Sequence, residues 1–240
     1  MSLAKVPLLL IAVAGSHITL TPPNPRVPAN ERPKDVSQTE KHFSALAHIY
    51  ATMTKLSMCA GSIVEIAVLL ALEWPTHPLS KMVFKALIPG PRELADRITI
   101  SDTFIIGCIL TAAGALGRIS CYRTLGRLFT FEVTIRNDHK LVTQGPYAYV
   151  RHPSYTSGLL FTAGVTVCNA SRGSWAKECG VLDTTAGRLG ACVYWILFFL
   201  GLLAVITRMP EEDRLLRDRF GAEWDRWAKK VPYRLVPCVY

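Results

Sequence analysis

Two stretches of this 240-residue chain combine side chains that could do chemistry: GPYAYVRHPSY at 145–155 and RMPEEDRLLRDRFGAEWDRWAKKVPYRLVP at 208–237. In the first, Gly145-Pro146 marks a turn. His152 precedes a proline and is biased away from helical geometry, whereas Pro153 suits the first position of a helix because it has no N–H to leave unpaired. A helix starting there opens its free amides and positive dipole end beside His152, Ser154 and Tyr155, an arrangement able to receive an anion such as a carboxylate. Tyr147, Tyr149 and Tyr155 could add flat apolar walls and hydroxyls. An interfacial aromatic belt around a helix-entry turn explains the same residues without a ligand, and the stretch alone does not separate the two. In the second, Arg208 and Glu212 are four apart and share a helical face. Glu211-Glu212 stands in a basic tail, where an acidic pair suits a cationic ligand. Leu216, Phe220, Trp224 and Trp227 recur every three or four residues, a stripe for packing on a bilayer surface or on the loop above it.

The elements that must position these residues are hydrophobic. Half of the chain is apolar, 19% is charged and mean hydropathy is +0.25. The apolar residues fall into five runs, 3–20, 44–72, 99–119, 155–170 and 186–206. About 20 apolar residues cross a bilayer; the third and fifth runs fit well, and the fourth is short enough to need tilt or shielding by its neighbours. The first also suits a cleavable signal peptide, but the polar, Pro-rich TPPNPRVPANERP after it reads as a loop and favours a retained span. Lys55 is expected to snorkel to the surface, and Glu65 to face a bundle interior. With five spans, loops 21–43, 118–154 and 207–240 carry 18 Lys and Arg, against 8 in the segments on the opposite side. This bias places 118–154 and 207–240 together in the cytosol. The net charge of +9 is thus mostly topology, and nucleic acid is not the expected partner. The 7 Cys show no CxxC pattern and read as small buried hydrophobes. The fold expected is an all-α integral membrane protein with about five transmembrane helices, a cytosolic loop before the fourth and C-terminal amphipathic helices. It divides into N-terminal helices and loops at 1–120 and a region at 121–240 that holds both stretches.

No Gly-rich phosphate loop, GxGxxG, GxSxG, HExxH or other metal motif is present, which leaves hydrolase, kinase and metalloenzyme readings without residues. GPYAYVRHPSY before an apolar helix, followed by EE, FGAEWDRW and VPYRLVP, resembles the isoprenylcysteine carboxyl methyltransferase family over roughly residues 130–237. The resemblance implies a multi-pass enzyme of the endoplasmic reticulum membrane, with 121–240 as its catalytic region and the cytosolic loop before the fourth span as its cofactor-binding loop. Such an enzyme moves a methyl group from S-adenosyl-L-methionine to the C-terminal carboxylate of a prenylated cysteine, a step of CaaX processing. Carried over by position, cofactor contacts fall on His139, Lys140, Leu141, Val142, Tyr147, His152, Pro153, Ser154, Tyr155 and Glu212. A Gln contact of relatives falls on Glu132. Arg208 is the implied contact for the substrate carboxylate. The chain departs from the family in having Ser157, with Gly158 next, where a Gly is common, and a longer loop at 171–185. An α-carboxylate, with pKa about 3.3–3.7, is already ionised at neutral pH, so such a reaction needs neither base nor metal. Three rivals share part of the pattern: a phospholipid N-methyltransferase, a sterol reductase with a similar C-terminal end, and a membrane adaptor that keeps the motifs without turnover.

Overall fold

The computed structural model describes residues 2–25, 38–131 and 140–239, with 38–47 described as backbone alone. Glu132 and His139 therefore lie outside the described residues. Helices make up the fold, and no strand occurs among the described residues. In chain order they are α1 (Lys5–Leu20), α2 (Gln38–Glu73), α3 (Pro78–Leu87), α4 (Asp102–Leu125), α5 (Pro153–Ala170), α6 (Trp175–Glu178), α7 (Thr185–Phe220) and α8 (Ala222–Lys230).

Among the described residues, three segments, His48–Glu73, Asp102–Leu128 and Thr185–Phe220, are long and apolar enough to cross a membrane. The runs at 3–20 and 155–170 become shorter helices, α1 and α5. Small residues let α5 pack closely on α4. A Cβ at Gly114 would lie 2.4 Å from the Phe161 amide nitrogen, and one at Gly164 2.4 Å from that of Thr111. Such contacts suit helices in lipid, where association depends on close packing more than on expelling water. α7 has 36 residues, about 54 Å at 1.5 Å per residue, against a hydrocarbon layer of about 30 Å. Its last turns, with Arg208 and Glu212, project past the apolar run.

The two ends of the bundle are fastened differently. At the end holding α3 and α6, Lys5 is wholly buried; its ammonium meets Glu65 Oε1 at 2.5 Å, donates to the Gly173 carbonyl at 2.8 Å and lies over the Phe104 ring. Glu65 faces the interior, as its position in an apolar run suggests, and accepts from the Trp175 amide. Lys55 donates to Thr21 at the opposite end. Removing one partner of a buried pair strands the other charge. Lys5→Met is expected to destabilise the fold by about 3–5 kcal/mol, read as a lower melting midpoint in detergent, whereas Lys5→Met/Glu65→Leu recovers a substantial part of the loss.

At the other end the C-terminal segment returns over the loop before α5. The Arg151 and His152 amides donate to the Tyr233 and Arg234 carbonyls, both at 2.9 Å, and Thr156 Oγ1 donates to Leu235 at 2.7 Å. The aromatic stripe packs on this loop: Trp224 and Trp227 join Cys121, Tyr147 and Val231, with Leu216, Phe220, Leu141 and Val142 around them. Trp227 Nε1 donates to the Tyr147 carbonyl.

Candidate active site

A cavity of about 570 Å³ lies at this end, walled by α2, α4, α5, α7 and the loop before α5. The volume is in the usual range for small-molecule sites. Lys140, Leu141, Val142, Tyr147, His152, Ser154, Tyr155, Arg208 and Glu212 all line it. Pro153 does not; buried at the first position of α5, it starts the helix. Tyr149, expected as a wall, is 73% exposed. Ser157 donates to the Pro153 carbonyl and turns toward Gly117 of α4, leaving Gly158 beside the cavity.

At the start of α5 the Tyr155 and Thr156 amides donate to the His152 carbonyl. Two carboxylates flank the His152 ring: Nε2 lies 3.1 Å from Asp213 Oδ1, and Nδ1 3.7 Å from Glu212 Oε2. Burial by itself pulls the imidazole pKa down; the two carboxylates outweigh it and raise the pKa to about 9. His152 is therefore an imidazolium at neutral pH, held between two carboxylates. The same burial raises the Tyr147 phenol, which stays neutral.

α7 supplies the facing groups. Arg208 and Glu212, one turn apart, both reach the cavity. Arg208 donates to the Phe131 carbonyl at 2.6 Å, and Tyr155 donates its hydroxyl to Glu212 at 3.1 Å. Asp213, next in sequence, turns to the other side, where it is buried and meets Arg151 at 3.0 Å and Arg234 at 3.5 Å as well as His152. Beyond this polar end the cavity is apolar, bounded by Leu159, Leu197, Phe198 and Val205. Ile49, Met53 and Leu200 line it while being 56%, 46% and 44% exposed, so the apolar limb opens sideways between α2 and α7. Tyr50 bridges these helices there, donating to the Leu197 carbonyl at 2.8 Å. Gly201 makes room for it: a Cβ at that position would lie 2.1 Å from the hydroxyl.

Two residues of this end were not singled out by sequence reasoning. Asp213 completes an acidic run whose first two members drew attention, and only packing reveals which carboxylate turns inward. Arg118 lies in the third apolar run, where it counted only toward topology. It too lines the cavity, buried at 9% exposure. An arginine so close to a hydrophobic span was the available signal.

Residues 105–173 match the family model described as Isoprenylcysteine carboxyl methyltransferase (ICMT) family. The match takes in most of α4, the loop carrying Tyr147 and His152, and α5, and ends before Arg208 and Glu212. A protein of Oryza sativa subsp. indica named "Probable protein-S-isoprenylcysteine O-methyltransferase" is 32% identical over 128 residues, covering 52% of this chain and 57% of the relative. The protein-S-isoprenylcysteine O-methyltransferase of Schizosaccharomyces pombe is 33% identical over 165 residues, covering 62% and 61%. The Delta(14)-sterol reductase TM7SF2 of Mus musculus is 26% identical over 101 residues, covering 42% of this chain and 20% of that protein. The chain thus spans little more than half the length of the first of these methyltransferases. The resemblance read from GPYAYVRHPSY is shown: through α4, the loop that follows it and α5, this chain is similar to the isoprenylcysteine carboxyl methyltransferase family.

Proposed function

We propose that this chain methylates the C-terminal carboxylate of a prenylated cysteine, using S-adenosyl-L-methionine, as a multi-pass protein of the endoplasmic reticulum membrane with its polar site on the cytosolic face. The observation that carries this reading is a single cavity whose charged end, with Arg208 and Glu212, continues into an apolar limb open sideways between α2 and α7. A carboxylate joined to a lipid chain has that polarity, and sideways opening lets the chain arrive through the bilayer.

The donor set suits the cofactor. Glu212 and the Tyr155 hydroxyl offer acceptors for an ammonium or ribose hydroxyls, Leu141, Val142 and Tyr147 offer an apolar surface, and Lys140 offers a cation for a carboxylate. When bound, the cofactor supplies a methyl group activated by its sulfonium. Arg208 orients the acceptor carboxylate by paired hydrogen bonds. His152 and Asp213 hold the start of α5 against α7, which keeps Tyr155 on Glu212. The acceptor arrives ionised, so no residue has to take a proton. The chain contributes alignment of the attacking oxygen and exclusion of water.

The test uses detergent-solubilised protein and labelled S-adenosylmethionine, with N-acetyl farnesylcysteine and phosphatidylethanolamine offered side by side. Base-labile methyl ester on the cysteine acceptor is expected, with little or none from Arg208→Ala or Glu212→Ala. Label in the phospholipid instead assigns an N-methyltransferase, and no cofactor binding at all removes the methyltransferase reading.

A further inference from the structure

Arg118 is a buried cation with no carboxylate within ion-pair distance among the described residues. Its hydrogen-bond partners are neutral. Nη1 donates to the Ser154 carbonyl at 2.9 Å and to the Ser154 hydroxyl, and Nε donates to the Tyr122 hydroxyl at 3.1 Å. Three rings surround the guanidinium, Phe129 at 5.0 Å, Tyr122 at 5.4 Å and Phe131 at 5.5 Å from centroid to Cζ. Ring faces and neutral oxygens compensate a desolvated charge only in part. The other buried cations among the described residues are matched: Lys5 by Glu65, and His152 by Asp213. Arg118 also lines the cavity, beside Ser154 and across Phe131 from Arg208, which holds the Phe131 carbonyl. Among the described residues around the polar end, Lys140, Arg151, His152, Arg208 and Arg118 line the cavity with one carboxylate, Glu212, while Asp213 behind it is already engaged by Arg151, His152 and Arg234.

We infer that Arg118 is a ligand-binding residue that receives a carboxylate in the cavity, supplying the countercharge that the fold itself withholds. The inference rests on the proposed function for the identity of the ligand. Both molecules of that reaction bring a carboxylate: the amino-acid end of the cofactor and the C-terminus of the acceptor. A guanidinium braced by Ser154 and Tyr122 is set in one plane, which suits a bidentate carboxylate better than a lysine would.

The experiment measures equilibrium affinity, so it does not depend on turnover. Unmodified protein and Arg118→Gln are titrated with S-adenosylhomocysteine and with its decarboxylated analogue. A second arm uses N-acetyl farnesylcysteine and its carboxamide. The expected result is a loss of about tenfold or more for one carboxylate-bearing ligand in Arg118→Gln, the size of a charge-assisted hydrogen bond, with no comparable loss for its neutral analogue. The arm in which the loss appears identifies the source of the carboxylate. Equal losses for charged and neutral ligands, or no loss in either arm, overturn the inference. If Arg118→Gln does not fold, Arg118→Lys takes its place: the cation is kept, the planar fork is lost, and the loss is smaller but still confined to the carboxylate-bearing ligand. Protein that binds S-adenosylhomocysteine but forms no ester on the cysteine acceptor removes the proposed function and leaves the first arm readable. Protein that binds neither ligand removes both.

Discussion

Arg208→Ala is expected to lower kcat/KM for a prenylcysteine acceptor by about 10²–10³-fold, while S-adenosylhomocysteine affinity changes much less. In the proposed reaction the attacking atom is a carboxylate oxygen, and its delocalised charge makes it a weak nucleophile. Rate then depends on holding one oxygen in line with the methyl group, and a misplacement of about 1 Å can cost about 10²-fold. On the proposed reading Arg208 fixes that geometry: it reaches the cavity one turn before Glu212 and is itself anchored by the Phe131 carbonyl. Arg208→Lys keeps the charge and loses the planar fork, so it is expected to recover less than a tenth of the missing activity. Steady-state kinetics on the cysteine acceptor, with cofactor-product affinity measured separately, separates this role from a general collapse of the site. If Arg208→Ala leaves kcat/KM within threefold of the parent, the carboxylate is held elsewhere, and Arg118 becomes its first claimant.

How much of this was legible in the sequence follows from the range of the interactions. His152-Pro153 announced the start of α5 because a proline acts on its immediate neighbours. Arg208 and Glu212 announced a shared face because four residues make about one helical turn. Glu65 could be assigned to the interior from the apolar residues around it. Arg118 and Asp213 could not be assigned in this way. The first is defined by Ser154, 36 positions away, and the second by His152, 61 positions away. Neither distance leaves a periodic trace. The aromatic stripe shows the boundary between the two cases: its spacing marked Trp224 and Trp227 as one face, and the tertiary fold put that face on the Tyr147 loop. The spans show it as well. Run 99–119 from Asp102 onward and all of 186–206 lie within helices long enough to cross a membrane, whereas 3–20 and 155–170 became shorter helices packed on their neighbours.

Asp213→Asn is expected to be the most destabilising change at this end of the molecule, by about 3–5 kcal/mol, and to make the remaining stability more sensitive to alkali. Asp213 is 6% exposed and serves Arg151, His152 and Arg234 at once, so its loss strands buried positive charge and loosens α7 from the loop and the C-terminal segment. The pH dependence follows from His152. Its folded pKa, about 9, stands above the ordinary 6.5, so protonated imidazole favours the folded state, by about 3 kcal/mol in full. That contribution is complete below about pH 6.5 and is lost as pH rises through about 9. In Asp213→Asn one of the two carboxylates that raise the pKa is gone while burial still lowers it. The imidazole then loses its proton at lower pH, and the alkaline fall in stability moves toward neutrality. Melting midpoints measured from pH 6 to 10 in one detergent should show a parent curve that declines on approaching pH 9 and a variant curve that begins its decline earlier. Glu212→Gln supplies the comparison, because it removes the other carboxylate, at 3.7 Å, and leaves the ion pairs of Asp213 intact. Its alkaline limb should shift in the same direction with a smaller loss of stability at pH 6. Parallel curves for all three proteins would mean that the imidazole carries no proton of consequence, and that Asp213 acts on the site through Arg151 and Arg234 alone.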